Sequence, residues 1–526
     1  MRKLISFNTL ALAIFAILLA SCKSSTYADY TTYISADNDV YISVNSQELI
    51  NKANFRKQLS SSEVAMMNAM VLGVVGQNAY DTIEPIMENP AECGIDLTKT
   101  IHFTIPQIED FNNNTEFAIY ATIKDINKFD SLIKTINEFG KDNVKNTELK
   151  EFKLTTLSEQ NSLFILYNKT TLIITNTKNQ LSTFIQPENS VAEEKDLAKA
   201  LNSNYDIGLI YDKKSLERLS SPMIGDLLKS NLFSHYSGRL FEQATISFNN
   251  GSIDMVQKVV STDKEVLEAL DKINFTKKPK GSHSQFIKKD PLIYALIALN
   301  GKDVYDYINS SAFPLLEKFK LDDETMQIAQ EISSSIDGDI SLTISDIVLN
   351  FFTPKPELTL YIDTKDKELF NQINKLINDN IRAPNFYKKE NENLAYFGSS
   401  KFSLYLGCTD DFIFLTTQKE VALAPEAKPE ENLTKSRFYS NSKGKESVMV
   451  LDIDKIIKLP FVQLGINSIP QYKIPSVKEF IDNIDYAEFY STRNEESTAS
   501  LRFKQSKVNS LELITKLVID LAKSNL

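Results

Sequence analysis

Hydrophobic positions along the chain alternate in short runs and then recur every three or four residues, and one such strand-then-helix pattern occurs twice. Residues 116–137 read EFAIYATIKDINKFDSLIKTIN, and residues 357–378 read ELTLYIDTKDKELFNQINKLIN. At one constant offset they share Glu116/Glu357, Tyr120/Tyr361, Lys124/Lys365, Asp125/Asp366, Phe129/Phe370, Lys134/Lys375, Ile136/Ile377 and Asn137/Asn378. In each copy a strand of bulky residues meets a Lys-Asp pair, where the aspartate can cap a helix whose apolar face follows at once.

The elements around the two copies follow one order. Strands at 40–44 and 100–105 are answered by strands at 293–299 and 339–344. Hairpins at 163–175 and 402–416 come next, then strands at 209–212 and 448–452. A closing strand-strand-helix at 244–273 is answered by 487–522, where Leu511, Ile514, Leu517, Val518 and Leu521 form one apolar stripe. Hairpins alternate with helices, and few strand pairs are separated by a single crossover helix. The pattern therefore predicts an α+β protein of two duplicated halves, each a mostly antiparallel sheet with helices packed on one face. The segment KKPKGSHS at 277–284 breaks every periodicity and reads as a linker between domains at 37–276 and 285–526.

The first residues read as a processing signal. Arg2 and Lys3 precede an apolar run at 10–19 that is too short to span a bilayer, and Leu19-Ala20-Ser21-Cys22 closes it with small residues before a cysteine. This resembles a bacterial lipoprotein signal, which implies removal of residues 1–21 and lipid on Cys22. Residues 22–36 are short, polar and rich in Ser, Thr and Tyr, as suits a tether.

Composition narrows the function classes. A chain of 526 residues exceeds what one core usually supports. The net charge of -11 becomes more negative once Arg2 and Lys3 leave, and an acidic surface repels phosphate backbones, so nucleic acid is not an expected partner. After Cys22 only Cys93 and Cys408 remain, one in each half; a disulfide and two buried thiols are both open, the thiols being favoured.

No constellation names a reaction. The three histidines, His102, His235 and His283, neighbour neither one another nor a cysteine, so neither a metal site nor a triad is expected. Ser131 and Lys134 have S-x-x-K spacing, but Gln372 replaces the serine in the second copy. Asp337-Gly338-Asp339 fits a turn entering a strand better than a calcium loop, and Asp452 fits a helix cap. The absence of Trp weakens a sugar-binding reading. No catalytic residue, cofactor or metal is therefore predicted.

The most informative difference between the halves is a helix. Residues 64–75 read VAMMNAMVLGVV, apolar on nearly every face, whereas the corresponding DDETMQIAQEISSS at 322–335 is far more polar. A helix apolar all round is normally buried. Clustered methionines also suit an adaptable binding surface, which makes Met66, Met67 and Met70 the candidate partner-binding residues.

Taken together, the lipid-attachment signal, the strand DVYISVN at 39–45, the Leu49-Ile50 helix and the duplicated units resemble a family of uncharacterised Bacteroidetes lipoproteins defined by a domain of unknown function. That resemblance implies no active site. In that phylum it implies O-glycosylation at Asp-Ser/Thr-aliphatic triplets, here Asp81-Thr82-Ile83 and Asp130-Ser131-Leu132, with Thr82 just past a helix and the more accessible. It also implies retention facing the periplasm, because Lys23-Ser24-Ser25-Thr26 rather than acidic residues follows Cys22. The expectation is a non-catalytic binding or scaffold lipoprotein, held at the outer membrane by lipid on Cys22 and engaging an envelope protein or apolar partner. Two other readings stay open: an envelope glycan or peptide hydrolase using carboxylates in the inter-domain cleft, and a carrier of a hydrophobic ligand.

Overall fold

The computed structural model describes residues 29–524 apart from 108–114, 141–143, 158–162, 213–239, most of 262–274, 310–322, 351–352, 365–367, 381–386, 400–401 and 493–495. Residues 1–28 with Cys22, His235 and the cap position Asp366 lie outside the described residues. Among the described residues two compact units emerge, one of residues 29–212, 240–261 and 505–524, the other within residues 264–504.

Unit 1 contains β1 (Val40–Val44), β2 (Ile101–Ile105), β3 (Ala118–Thr122), β4 (Val144–Leu149), β5 (Phe152–Leu157), β6 (Leu163–Tyr167), β7 (Thr171–Thr175), β8 (Ile207–Asp212), β9 (Phe241–Asn249) and β10 (Ser252–Val260). They pair antiparallel in the order β10-β9-β8-β1-β2-β3-β7-β6-β5-β4. Unit 2 contains β11 (Thr276–Lys277), β12 (Ile293–Asn300), β13 (Ile336–Asn350), β14 (Thr353–Thr364), β15 (Tyr387–Asn391), β16 (Leu394–Ser399), β17 (Phe402–Cys408), β18 (Phe412–Thr416), β19 (Ser447–Leu451), β20 (Ile484–Thr492) and β21 (Glu496–Phe503). Here the antiparallel order is β21-β20-β19-β12-β13-β14-β18-β17-β16-β15, with the two-residue β11 beside β12. Position by position, the two orders are the same.

Alternation along each strand divides unit 1 into two cores. Ala121, Ile165, Tyr167, Leu172 and Ile174 face the Gln77–Glu88 and Ile126–Gly140 helices. Their neighbours Tyr120, Phe164, Leu166 and Ile173 face the short Leu181–Ile185 and Lys195–Leu201 helices. The longer helices share one face and short helices cover the other, so helices pack on both faces of this sheet and not on one as the pattern predicts. Phe129, fully buried in unit 1, and Phe370, 1% exposed in unit 2, anchor the two repeated helices to their sheets. Asp125 caps the first of these by accepting from the N–H groups of Asn127 at 3.0 Å and Lys128 at 3.2 Å.

Three sequence expectations are revised. The tether is shorter than 22–36, because Asp29–Tyr33 is already a 3-10 helix that buries Tyr30, and Ile34 is buried beside it. The 277–284 stretch is docked rather than a solvated linker. It leads into a 3-10 helix at Ser282–Gln285 with His283 fully buried, and the buried Asp339 carboxylate accepts from Lys280 N at 2.9 Å and Ser282 N at 2.8 Å. A local tie to a buried charge leaves no periodic trace.

The C-terminal Ser510–Ser524 helix belongs to unit 1, not to the second half. The β9–β10 hairpin explains why: Gly251, at φ +72°, donates to Val508 O at 2.9 Å, and Ser510 Oγ donates to Ser252 O at 2.7 Å. A Cβ at Gly251 would lie 2.6 Å from Ser506 Cα, so glycine is required there. Tertiary docking also rotates the predicted stripe, leaving Val518 58% exposed while Ile519 is buried.

Candidate functional site

The loop from β1 to β2 builds the apolar feature. The Ser46–Ala53 helix leaves the end of β1, and Lys52 near its C-terminus pairs with the buried Asp206 at 2.7 Å. Asn54 stops it in the left-handed region at φ 51° and donates to Glu512 Oε1 at 3.2 Å. Gln58 donates to the Glu512 carbonyl at 3.1 Å, so the C-terminal helix holds the segment from which the next helix starts.

That next helix, Ser61–Val75, opens on a full capping box. Ser60 Oγ accepts from Glu63 N at 3.3 Å while Glu63 accepts from Ser60 N at 2.6 Å. Lys523 pairs with Glu63 at 2.6 Å, and its hydrogen bond, with those from Ser60, pulls the Glu63 carboxyl down to about 2. Gly76, at φ +77°, closes the helix by donating to Leu72 O at 2.9 Å and turns the chain into Gln77–Glu88.

An apolar helix of this kind is expected inside. Val71 and Leu72 do pack against the core, but Val64 is 39% and Met66 47% exposed, and Ala65, Ala69 and Gly73 are exposed as well. The burial expectation is overturned for this outer side. A Cβ built on Gly73 meets nothing within 4 Å. Left partly in water, Val64 and Met66 each forgo a fraction of the about 1.5–3 kcal/mol that full burial of such a side chain contributes. The side chains of Met67 and Met70 lie outside the described residues; Met66 carries the prediction among those described.

Thr82 lies within the Gln77–Glu88 helix, not beyond it, half-buried and accepting from Thr135 Oγ1 at 3.1 Å. Ser131, of the second triplet, is exposed and is the more accessible. The accessibility expectation is thereby reversed, because a helix continues through Thr82 despite Pro85. Cys93 and Cys408 are both buried as thiols, and Cys93 Sγ accepts from Ile95 N at 3.3 Å.

Ionisable groups gather at three further places in the described structure. In unit 1, His102 is buried with Nδ1 2.8 Å from Ser43 Oγ, and burial pushes its pKa down to about 3. In unit 2, His283 stacks on Tyr361 at 5.1 Å, with Nδ1 3.0 Å from Ser341 Oγ and Nε2 2.9 Å from Asp363 Oδ1. Burial alone would raise the Asp363 carboxyl, but the His283 imidazole and the Asp339 N–H together hold it below the usual carboxylate range. The third place is an open cleft of about 670 Å³ in unit 1, lined by Asp130, Glu148, Lys150, Lys153, Tyr167 and Lys169 among others. Asp130 there accepts from Lys153 at 2.9 Å and from the Tyr167 hydroxyl at 2.9 Å. Asp337-Gly338-Asp339 is strand, with Asp339 spent on backbone N–H groups, and Asp452 caps the Ile453–Lys458 helix through Lys455 N at 3.0 Å. Asp130, Asp339, Asp363 and Asp452 each hold an internal partner, whereas the buried His102 Nε2 has none among the described residues.

The class these observations define is an α+β protein of antiparallel sheets carrying an exposed apolar helix. The chain belongs to the family described as a domain of unknown function (DUF4836), whose model matches residues 30–511. No curated protein matches it. A solved structure, described as crystal form III of TP0453, is similar to 47% of this chain and 87% of its own at 9% identity. Its TM-score of 0.24 is too low to carry an argument. No helix among the described residues is long and apolar enough to cross a membrane.

Proposed function

We propose that this protein is a lipid-anchored binding or scaffold lipoprotein of a Bacteroidetes cell envelope, held by lipid on Cys22 at the outer membrane and facing the periplasm. It acts without catalysis, through the outer side of the Ser61–Val75 helix. The observation that carries the reading is the exposure of Val64 and Met66 on a helix that is capped, ion-paired and braced by the C-terminal helix. A surface held rigid before binding spends less free energy on ordering itself when a partner arrives. The matching strand order of the two units supports duplication as their origin.

In-cell photocrosslinking tests the reading, with a photoreactive amino acid replacing Met66 in one strain and Gln327 in another. Gln327 is an exposed residue of the Asp323–Ser335 helix in unit 2. The expected result is a discrete protein or lipid adduct at position 66 and none at 327. The same diffuse or empty pattern at both positions would refute a binding role for the apolar helix.

A further inference from the structure

We infer that the Ser61–Val75 helix docks into the interfacial layer of the bilayer that carries the protein's own lipid. The inference rests on the proposed lipidation of Cys22 and names the partner of the apolar surface.

Chain length supplies the first argument. Only about seven residues separate Cys22 from Asp29, where the described structure begins, and fully extended they reach roughly 25 Å. Lipid on Cys22 would keep the root of unit 1 within that distance of the headgroups.

Topology supplies the second. The Tyr30 hydroxyl, one residue into the described structure, donates to the Thr100 carbonyl at the start of β2. The neighbouring Ile101 pairs with Val44, the last residue of β1, from which the helical segment leading to Ser61–Val75 departs. The tether and the apolar segment are therefore rooted at the same end of the sheet, the tether on the face of the short helices and the apolar helix on the other, and the reach of the tether spans the sheet between them.

Charge and length supply the third. Residues 64–75 contain no charged side chain, and the only acid of the helix, Glu63, is already paired with Lys523. An acidic chain approaching a membrane meets no added repulsion from this surface. A helix of 15 residues is about 22 Å long, short of the hydrocarbon thickness, so it lies in the interface rather than crossing. Contact made by Val, Met and Ala rather than Lys or Arg depends on apolar burial, so docking persists at high salt and on uncharged lipid.

The sequence offers a clean probe, because it contains no tryptophan. Met66→Trp and Gln327→Trp each place a single indole on the full lipidated protein, which is reconstituted in vesicles of uncharged phosphatidylcholine with and without lipids brominated on the acyl chain. The expected result is a blue shift and bromine quenching at position 66, unchanged in high salt, with neither effect at position 327. In a second arm, a Cys22→Ala chain still binds these vesicles, and adding Val64→Glu and Met66→Glu lowers that binding by about tenfold or more. Both positions are exposed, so the variants should unfold at the temperature of the parent, which separates lost docking from lost fold. An unshifted, unquenched tryptophan at position 66 in a lipidated sample overturns bilayer docking, and a protein adduct from position 66 in cells would then identify the surface as a protein-binding one. Absence of lipid in the intact mass of the cellular protein would instead overturn the anchoring reading.

Discussion

Between β1 and β2 unit 1 places the Ser61–Val75 helix with Val64 and Met66 facing outward. Asp323–Ser335 of unit 2, expected from the sequence to be its counterpart, corresponds instead to Gln77–Glu88, since each of these two hydrogen-bonds the repeated helix of its own unit. The unit 2 helix exposes Gln327 and Gln330, turns Ile332 toward the core, and accepts from Gln372 through Glu331 at 2.9 Å. One helix obeys the rule that polar residues face water and the other breaks it on the same scaffold.

The same contrast recurs beneath the sheets on a smaller scale. Tyr30 and His283 each lie in a 3-10 helix ahead of the first long strand of the unit and stack on the shared tyrosine, Tyr30 on Tyr120 at 6.3 Å and His283 on Tyr361 at 5.1 Å. On the strand beside that tyrosine, His102 pairs with Tyr120 and Ser341 with Tyr361. A histidine thus sits in the 3-10 helix of unit 2 and on the strand beside the tyrosine in unit 1.

The sharpest test of what is shared is removal of the two anchoring phenylalanines. Phe129→Ala and Phe370→Ala should each cost about 3–5 kcal/mol, read by urea unfolding with hydrogen exchange resolved for each unit. A cost below about 1 kcal/mol at either position would break the equivalence of the two helices.

A smaller effect should separate the two histidine positions. The folded pKa of His102, near 3, lies below its ordinary value of 6.5, so the unfolded state takes up the proton first. Stability from this group is complete above pH 6.5 and falls as the pH drops toward 3, by about 1.4 kcal/mol per unit. Asp363, with a lowered pKa, adds its loss only at lower pH, below the ordinary carboxylate range. A His102→Asn variant should therefore lose most of the stability slope between pH 6.5 and 4.5, and an unchanged slope would place that proton uptake elsewhere. The smallest effect expected is that of the cap: Ser60→Ala should cost about 1 kcal/mol in unit 1, seen as faster exchange in the first turn of the apolar helix.

Much of this architecture is legible in the residues. Strand positions alternate, helices recur with their own period, and the Asp125 cap and the Asn250-Gly251 turn are local signals that neighbouring atoms satisfy. The hairpin of β4 and β5 leaves little apolar pattern, with Lys145, Asn146, Thr147 and Glu148 exposed along β4. Met66 was legible as a candidate from composition and from its contrast with the second unit. The internal pairing of Asp130, Lys153 and Tyr167 was not, since residues up to 37 positions apart meet there only after folding.

The sequence by itself determined the class of fold, the order of most elements and the odd apolar helix, because periodicity and turn chemistry act within a few residues. Only the tertiary structure decided which side of that helix meets water, that the C-terminal helix packs in unit 1, and that 277–284 is docked through Asp339. Each of those outcomes depends on contacts between distant segments, and no local pattern records which distant surface a segment will find.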